Sequence, residues 1–169
     1  TVKFCTWGGE EEGLWGSKAF VEENAESLAE NLRLYINLDM NHVDIDMDER
    51  GNSVRLFGND VRDVQHISDI TEQYKSEFPQ MASKYVIDVF ALDGAKGESD
   101  GMPYNSDHGP FVYDLGDDIR GRAVVCYGSG SWEYHTYLDD MSRFNEESLG
   151  ISVTIYGSYI NYLAYSTNT

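Results

Sequence analysis

The feature that most constrains this sequence is a run of three glutamates, Glu10 to Glu12, set among glycines between an apolar segment and a helix-like segment. The apolar run at 2–7 predicts a buried strand, and residues 18–23 predict a helix whose N-cap is Ser17. In α/β proteins the passage from strand to helix is where functional side chains gather. Adjacent carboxylates repel one another, so this stretch is either a site for a cation or a solvated acidic turn.

The rest of the chain alternates between strand-like and helix-like segments. Further strands are predicted at 33–40, 53–58, 85–92 and 122–127, and further helices at 60–78, from 106–111 onward and at about 145–165. Pro79 marks the end of the helix at 60–78, and residues 41–52 predict a hairpin with an acidic outer face. This order predicts a three-layer α/β/α sandwich around a mostly parallel, mixed central sheet, in a single domain of residues 1–169.

Charge and hydropathy exclude several classes of partner. The chain has 30 acidic and 12 basic residues, which gives a formal net charge of −18. It therefore has no basic patch to neutralise phosphates, which argues against nucleic acid or an anionic membrane surface as a partner. No run approaches the ~18 apolar residues of a membrane-spanning helix. Cys5 and Cys126 lie in apolar, strand-like runs and are predicted as buried free thiols.

Acidic and histidine side chains follow the predicted strands at their carboxyl ends. In chain order they are Glu10, Glu11 and Glu12, then Asp39, then Asp107 and His108, and then His135. In an open α/β sheet such groups converge in the crevice outside these strand ends. Carboxylates with a histidine suit zinc, manganese or a related divalent ion. A carboxylate that is not a ligand commonly serves as the base that deprotonates a bound water.

Four motifs in this order resemble the signatures of the M28 family of zinc peptidases. They are WGGEEEGLWGS at 7–17, INLDM at 36–40, SDHGPF at 106–111 and YHTYLDD at 134–140. The family comprises mostly aminopeptidases, with some carboxypeptidases. The resemblance therefore implies metal-dependent hydrolysis of a peptide substrate with a free N-terminus, and it favours a secreted or extracytoplasmic location.

The resemblance also implies roles at the metal centre. Glu10 corresponds to the general base, and Glu11 and His135 correspond to ligands of one zinc ion. Asp39 corresponds to a ligand of the second zinc, and Glu12 falls at a variable position that needs no role.

Four further residues match positions around that centre. Asp139 matches an acid that supports the metal ligands, and Asp107 and His108 match an element that lines the site. Tyr104 is a candidate for the tyrosine that stabilises the tetrahedral intermediate in some members of the family.

The resemblance places an upstream histidine and a bridging aspartate of the family's site before Thr1. We therefore expect this chain to be the C-terminal portion of a catalytic domain, truncated on its N-terminal side. The complete site would hold two zinc ions, and the piece alone would bind zinc poorly and hydrolyse little.

Three other functions compete with a dinuclear peptidase. A non-catalytic, receptor-like or binding domain on the same fold would have lost ligands, whereas all four matched positions are present. A glutaminyl-cyclase-like enzyme would use a single zinc, but the motif at 7–17 is more similar to the peptidases. A serine triad built from contiguous residues 106–108 is disfavoured, since no Gly-x-Ser-x-Gly elbow is present. The sequence specifies no oligomeric state.

Overall fold

The computed structural model describes residues 1–43, 53–91, 101–128 and 133–166. These residues form α1 (Trp15–Asn31), β1 (Tyr35–Leu38), β2 (Ser53–Gly58), α2 (Val61–Glu77), α3 (Pro79–Lys84), β3 (Val86–Ala91), α4 (His108–Tyr113), β4 (Ala123–Gly128) and α5 (Glu146–Tyr165). The four strands lie in an open, mostly parallel sheet in the order β1-β4-β2-β3. The α/β class expected from the sequence is confirmed. No helix within these ranges is long and apolar enough to cross a membrane.

Pro79 ends one helix and begins the next. The backbone N–H of Phe78 donates to Tyr74 at 2.8 Å, which closes α2, and Pro79 then occupies the first turn of α3. Proline lacks an N–H and has a fixed φ, so it is tolerated at the start of a helix and not in its interior. The predicted stop is correct, and the short helix after it was not predicted.

The first six residues form no strand, so the prediction of a buried strand at 2–7 is wrong. The side chain of Phe4 is 90% exposed, and Cys5 is exposed as well. An apolar run becomes a strand only where a neighbouring strand accepts its backbone hydrogen bonds, and the described sheet pairs none of its strands with this segment. Cys126 does match the expectation of a buried free thiol, and burial raises its pKa to about 12.

The predicted hairpin at 41–52 falls largely on residues 44–52, which lie outside the described ranges. The same holds for most of the polar loops expected at 93–106 and 128–134. These features stay predictions.

The chain divides into two compact units. The first comprises Thr1–Asn37, Gly58–Asp63 and Ala91–Val125, and the second comprises Leu38–Phe57, Val64–Phe90 and Cys126–Thr169. The expectation of a single catalytic domain over 1–169 stays a prediction.

The core of the first unit is built on aromatic rings. Phe111 of α4 is buried, and the ring of Tyr35 from β1 stacks on it with 4.1 Å between centroids and 14° between planes. Trp7 and Phe20 pack at a tilt against the same ring, at 5.7 and 6.1 Å. Aromatic pairs at such distances add to the free energy gained from burying their surface. Phe111 therefore joins α1, β1 and the segment before α1.

The core of the second unit depends on one face of α5. Its buried residues recur at helical spacing, and they are Ser148, Ile151, Ser152, Ile155, Tyr156 and Tyr159. The helix begins after Asn145, whose side chain accepts a hydrogen bond from the backbone N–H of Ser148 at 3.1 Å. This cap satisfies one of the N–H groups that the first turn of a helix leaves unpaired.

A buried ion pair fixes the start of α2 within the first unit. The carboxylate of Asp63 has 0% exposure and accepts from Arg122 through Nε at 3.0 Å and through the second guanidinium nitrogen at 2.6 Å. Two parallel bonds of this kind are stronger than a single contact between charges.

We predict that Asp63→Ala lowers the free energy of unfolding by about 1–3 kcal/mol, because the half-buried guanidinium of Arg122 loses two short bonds and, within the described ranges, keeps only its 3.5 Å contact with Asp60. Glu72→Ala is the matched control. It breaks an exposed ion pair with Lys75 and should change stability by less than about 0.5 kcal/mol. Urea unfolding of both variants measures the difference, and equal midpoints would contradict the prediction.

Candidate active site

The three glutamates lie in a hydrogen-bonded turn directly before α1. The carbonyl of Glu10 accepts from the backbone N–H of Gly13 at 3.0 Å and from that of Leu14 at 2.9 Å. Two further backbone bonds close the turn, from Trp15 N–H to Gly9 O at 3.1 Å and from Gly16 N–H to Gly8 O at 2.9 Å. The backbone at the glutamates is therefore fixed by its own hydrogen bonds and by the first turn of the helix.

Left-handed backbone on either side of the glutamates makes this turn possible. Gly9 has φ 69°, Gly13 has φ 111°, and Leu14 has φ 63°. Glycine adopts such angles without steric cost, whereas a leucine there is uncommon. The turn brings the chain into the helix at Trp15, earlier than expected, so Ser17 as an N-cap is wrong. Ser17 lies buried inside α1 and donates to the Leu14 carbonyl at 3.2 Å.

The glutamates differ in their exposure. Glu10 is half-buried, whereas Glu11 and Glu12 are exposed. One rigid turn thus presents a sheltered carboxylate and two solvated ones. Glu10 and Glu11 therefore have different surroundings, although they are neighbours in sequence.

Asp39 follows the last residue of β1 and is half-buried. Hydrogen bonds within the second unit fix the backbone just after it. They run from Ser152 Oγ to Asn41 O at 3.0 Å, from Val43 N–H to Ser148 Oγ at 2.9 Å, and from Gly128 N–H to Met40 O. α5 and the end of β4 therefore hold in place the backbone that directly follows Asp39.

His135 lies on an exposed turn with a backbone conformation that few residues adopt. Its φ is 63°, and its ring stacks on Tyr134 with 3.9 Å between centroids. The turn is closed by Thr136, whose Oγ1 donates to the Glu133 carbonyl at 2.6 Å and whose carbonyl accepts from Asp139 N–H at 3.2 Å. Non-glycine residues in this region of φ are concentrated at functional sites. Asp139 itself is exposed.

His108 is fully buried at the start of α4. Its Nε2 lies 2.7 Å from the Pro103 carbonyl oxygen, and its Nδ1 lies 3.4 Å from the amide nitrogen of Asn37. Asp107, just before the helix, is half-buried. Both ring nitrogens of His108 thus face groups in the interior of the first unit. That Asp107 and His108 line a site stays a prediction.

Tyr104 is 40% exposed, and its hydroxyl donates to the carboxylate of Asp114. Partial burial and this carboxylate raise the pKa of the phenol well above its usual range. Lys18 of α1 lies over the ring, with 5.5 Å from Nζ to the centroid. The phenol is therefore a neutral hydrogen-bond donor whose proton is already directed at a carboxylate.

The residues matched to the metal centre are divided between the two units. Glu10, Glu11, Tyr104, Asp107 and His108 belong to the first, and Asp39, His135 and Asp139 belong to the second. Within the described ranges, no group of three or more histidine, cysteine, aspartate or glutamate side chains lies close enough together to hold a metal ion. The donor set of two carboxylates and an imidazole nevertheless fits the chemistry of zinc.

Sequence reasoning missed Asn37. Its side chain is 5% exposed, and its amide donates to Ser106 Oγ at 3.0 Å. The available signal was an amide inside the apolar run of β1, since a buried polar residue is more informative than an exposed apolar one.

Comparison with known proteins identifies the family. The model of peptidase family M28 matches residues 1–159, and the chain therefore belongs to this family. It is also similar to a Zea mays protein named "Probable glutamate carboxypeptidase VP8", with 28% identity over 141 residues, which covers 82% of this chain and 18% of that protein. The chain thus spans under a fifth of the length of that curated relative. No solved structure matches.

We predict that Gly16→Ala lowers the free energy of unfolding by about 1–3 kcal/mol and displaces the glutamate turn. A Cβ at this position would lie 2.8 Å from both the nitrogen and the oxygen of the Gly8 backbone, which cannot yield as a flexible side chain would. Gly157→Ala in α5 is the matched control. Nothing lies within 4 Å of a Cβ there, so the variant should gain about 0.5–1 kcal/mol from the better helix propensity of alanine. Thermal unfolding should show a lower midpoint for Gly16→Ala and a higher midpoint for Gly157→Ala than for the wild type. Midpoint shifts of the same sign in both variants would contradict the prediction.

Proposed function

We propose that this chain contributes to the catalytic domain of a zinc-dependent peptidase whose complete site holds two metal ions. The observation that carries the proposal is the ordered turn that holds Glu10 and Glu11 before α1, in a chain of peptidase family M28. The remaining ligands, a histidine and a bridging aspartate, would come from sequence outside this chain. On its own the chain would then bind zinc weakly and show little activity.

The residues proposed to hold metal are Glu11 and His135 for one zinc and Asp39 for the second. Carboxylate oxygen and imidazole nitrogen are the donors of catalytic zinc sites that keep a position open for water. When bound there, zinc would polarise the scissile carbonyl and lower the pKa of a water molecule.

Glu10 is proposed as the general base. Its carboxylate accepts a proton from the attacking water, whose oxygen bonds to the carbonyl carbon of the scissile peptide. The C–N bond then breaks, and Glu10 returns the proton to the departing amine. Hydrogen bonds fix the backbone of the turn and so limit the displacement of this carboxylate from the reacting atoms.

An aminopeptidase is the first candidate for specificity. The formal net charge of −18 favours the approach of a cationic peptide N-terminus, although salt at physiological strength weakens this attraction. A carboxypeptidase is the second candidate, because the maize relative carries that activity in its name. A secreted or extracytoplasmic location is proposed together with either activity.

We predict that Glu10→Gln reduces kcat by about 10³-fold while zinc stays bound, because glutamine keeps the shape of the side chain but cannot accept the proton. Glu12→Gln is the matched control from the same turn and should leave kcat unchanged. Turnover of peptide substrates and zinc content by atomic emission, both on the full-length protein, measure the two effects. Loss of zinc in Glu10→Gln would reassign Glu10 as a ligand.

Peptides blocked at one end separate the two specificities. An aminopeptidase is expected to cleave a peptide with a free N-terminus and an amidated C-terminus, and to leave its acetylated counterpart with a free C-terminus intact. Mass spectrometry of the products identifies the end that is shortened. The opposite pattern would establish the carboxypeptidase, and cyclisation of an N-terminal glutamine without cleavage would favour the cyclase-like alternative.

A further inference from the structure

A continuous series of hydrogen bonds crosses the first unit from the segment before the glutamate turn to the loop before α4. Its members are Trp7 Nε1–H to Tyr35 Oη at 2.9 Å, Tyr35 O–H to Asn37 Oδ1 at 3.5 Å, Asn37 Nδ2–H to Ser106 Oγ at 3.0 Å, Asn37 Nδ2 to His108 Nδ1 at 3.4 Å, and His108 Nε2 to Pro103 O at 2.7 Å. Asn37 is the one member that joins the two halves, since its oxygen faces Tyr35 and its nitrogen faces Ser106 and His108.

The direction of the bonds follows from the acceptor at one end. A carbonyl oxygen only accepts, so the bond to Pro103 requires that Nε2 of His108 carry the proton. In the neutral imidazole Nδ1 is then an acceptor, which suits the NH2 group of Asn37. The same assignment leaves the amide oxygen for the Tyr35 hydroxyl. The amide thus has one orientation in which both of its ends are satisfied.

Burial makes this orientation energetically important. Asn37, Ser106 and His108 are all buried, and His108 has 0% exposure. A buried polar group that loses its partner stays desolvated with no hydrogen bond to compensate. A fully satisfied network of this kind therefore fixes the positions of the elements that it joins.

One end of the series, Trp7, and its central member, Asn37, each lie close along the chain to a residue of the proposed site. Trp7 directly precedes the glycines that open the turn of Glu10, and its ring also packs against Phe20 and Phe111. Asn37 lies two residues before Asp39. The network therefore acts on the backbone that carries the proposed base and on the strand that ends at a proposed ligand.

We propose that Asn37 is a positioning residue for peptide hydrolysis, which holds the glutamate turn through Tyr35 and Trp7 and holds the start of α4 through Ser106 and His108. This inference rests on the proposed function, because it needs Glu10 to act on substrate. A displacement of a catalytic group by 1 Å costs about 10²-fold in rate, so the loss of this anchor should appear in kcat and not in binding.

The first test is kinetic and uses the full-length, zinc-loaded protein. Asn37→Leu should lower kcat by about 10–100-fold, with KM and zinc content unchanged. Asn59→Leu is the matched control, because Asn59 also bonds through both ends of its amide, but to the backbone of Gly121 and Ala123 at 2.9 Å each. The control should lose stability and keep kcat within twofold. An equal kcat for wild type and Asn37→Leu would overturn the proposal.

Tyr35→Phe covers the case in which Asn37→Leu does not fold. It keeps the ring that stacks on Phe111 and removes only the hydroxyl that joins Trp7 to Asn37. A kcat lowered by at least about fivefold at unchanged KM supports the positioning role. An unchanged kcat contradicts it.

The second test does not depend on activity. With tryptophan labelled with ¹⁵N, the indole N–H of Trp7 should exchange with solvent at least about tenfold faster in Asn37→Leu than in Asn59→Leu, since its acceptor has lost its own anchor. Equal exchange rates would overturn the inference. A wild-type protein that hydrolyses no peptide would instead overturn the proposed function, and the exchange rates would still decide whether Asn37 controls the turn.

Discussion

The backbone of Gly8 lies so close to the first turn of α1 that position 16 has no room for a side chain. This contact brings Gly8 and Gly16 together, and the glutamate turn closes the path between them. Trp15 and Gly16 of α1 donate two of the hydrogen bonds that close the turn. Gly9 and Gly13, with positive φ, let the chain reverse its direction. The backbone that carries the three glutamates is therefore positioned by the way in which α1 begins.

Buried polar groups carry much of the specificity in both units. The first unit uses Asn37 and His108, together with the pair of Asp63 and Arg122. The second uses serines on the inner face of α5. Apolar packing alone would tolerate small shifts of helices against strands, whereas a buried donor must meet its acceptor within a few tenths of an ångström. The segment after Asp39 and the start of α4 are among the parts fixed in this way.

The sequence predicted the elements whose periodicity is strong, and it failed where tertiary contacts decide. β2 was predicted to the residue as a short apolar run after turn residues, and α5 nearly so, because its buried positions recur at helical spacing. Serine is a residue type that often caps a helix, but α1 begins upstream of Ser17, where Gly16 packs against the backbone of Gly8. The run at 2–7 is apolar enough for a strand, yet pairing is a property of neighbours. The candidate residues were found by resemblance, whereas Asn37 becomes visible only through its partners.

The two serines of α5 that hold the backbone after Asp39 reach it across 105 and 111 residues of sequence. A ribosome makes the segment at 40–43 long before it makes its anchors. Asp39 therefore acquires its final surroundings only after α5 has been synthesised, because contacts of such separation form late in folding. A nascent chain that ends before α5 would already hold the hydrogen-bonded glutamate turn, whereas the backbone after Asp39 would still lack the two serines that fix it.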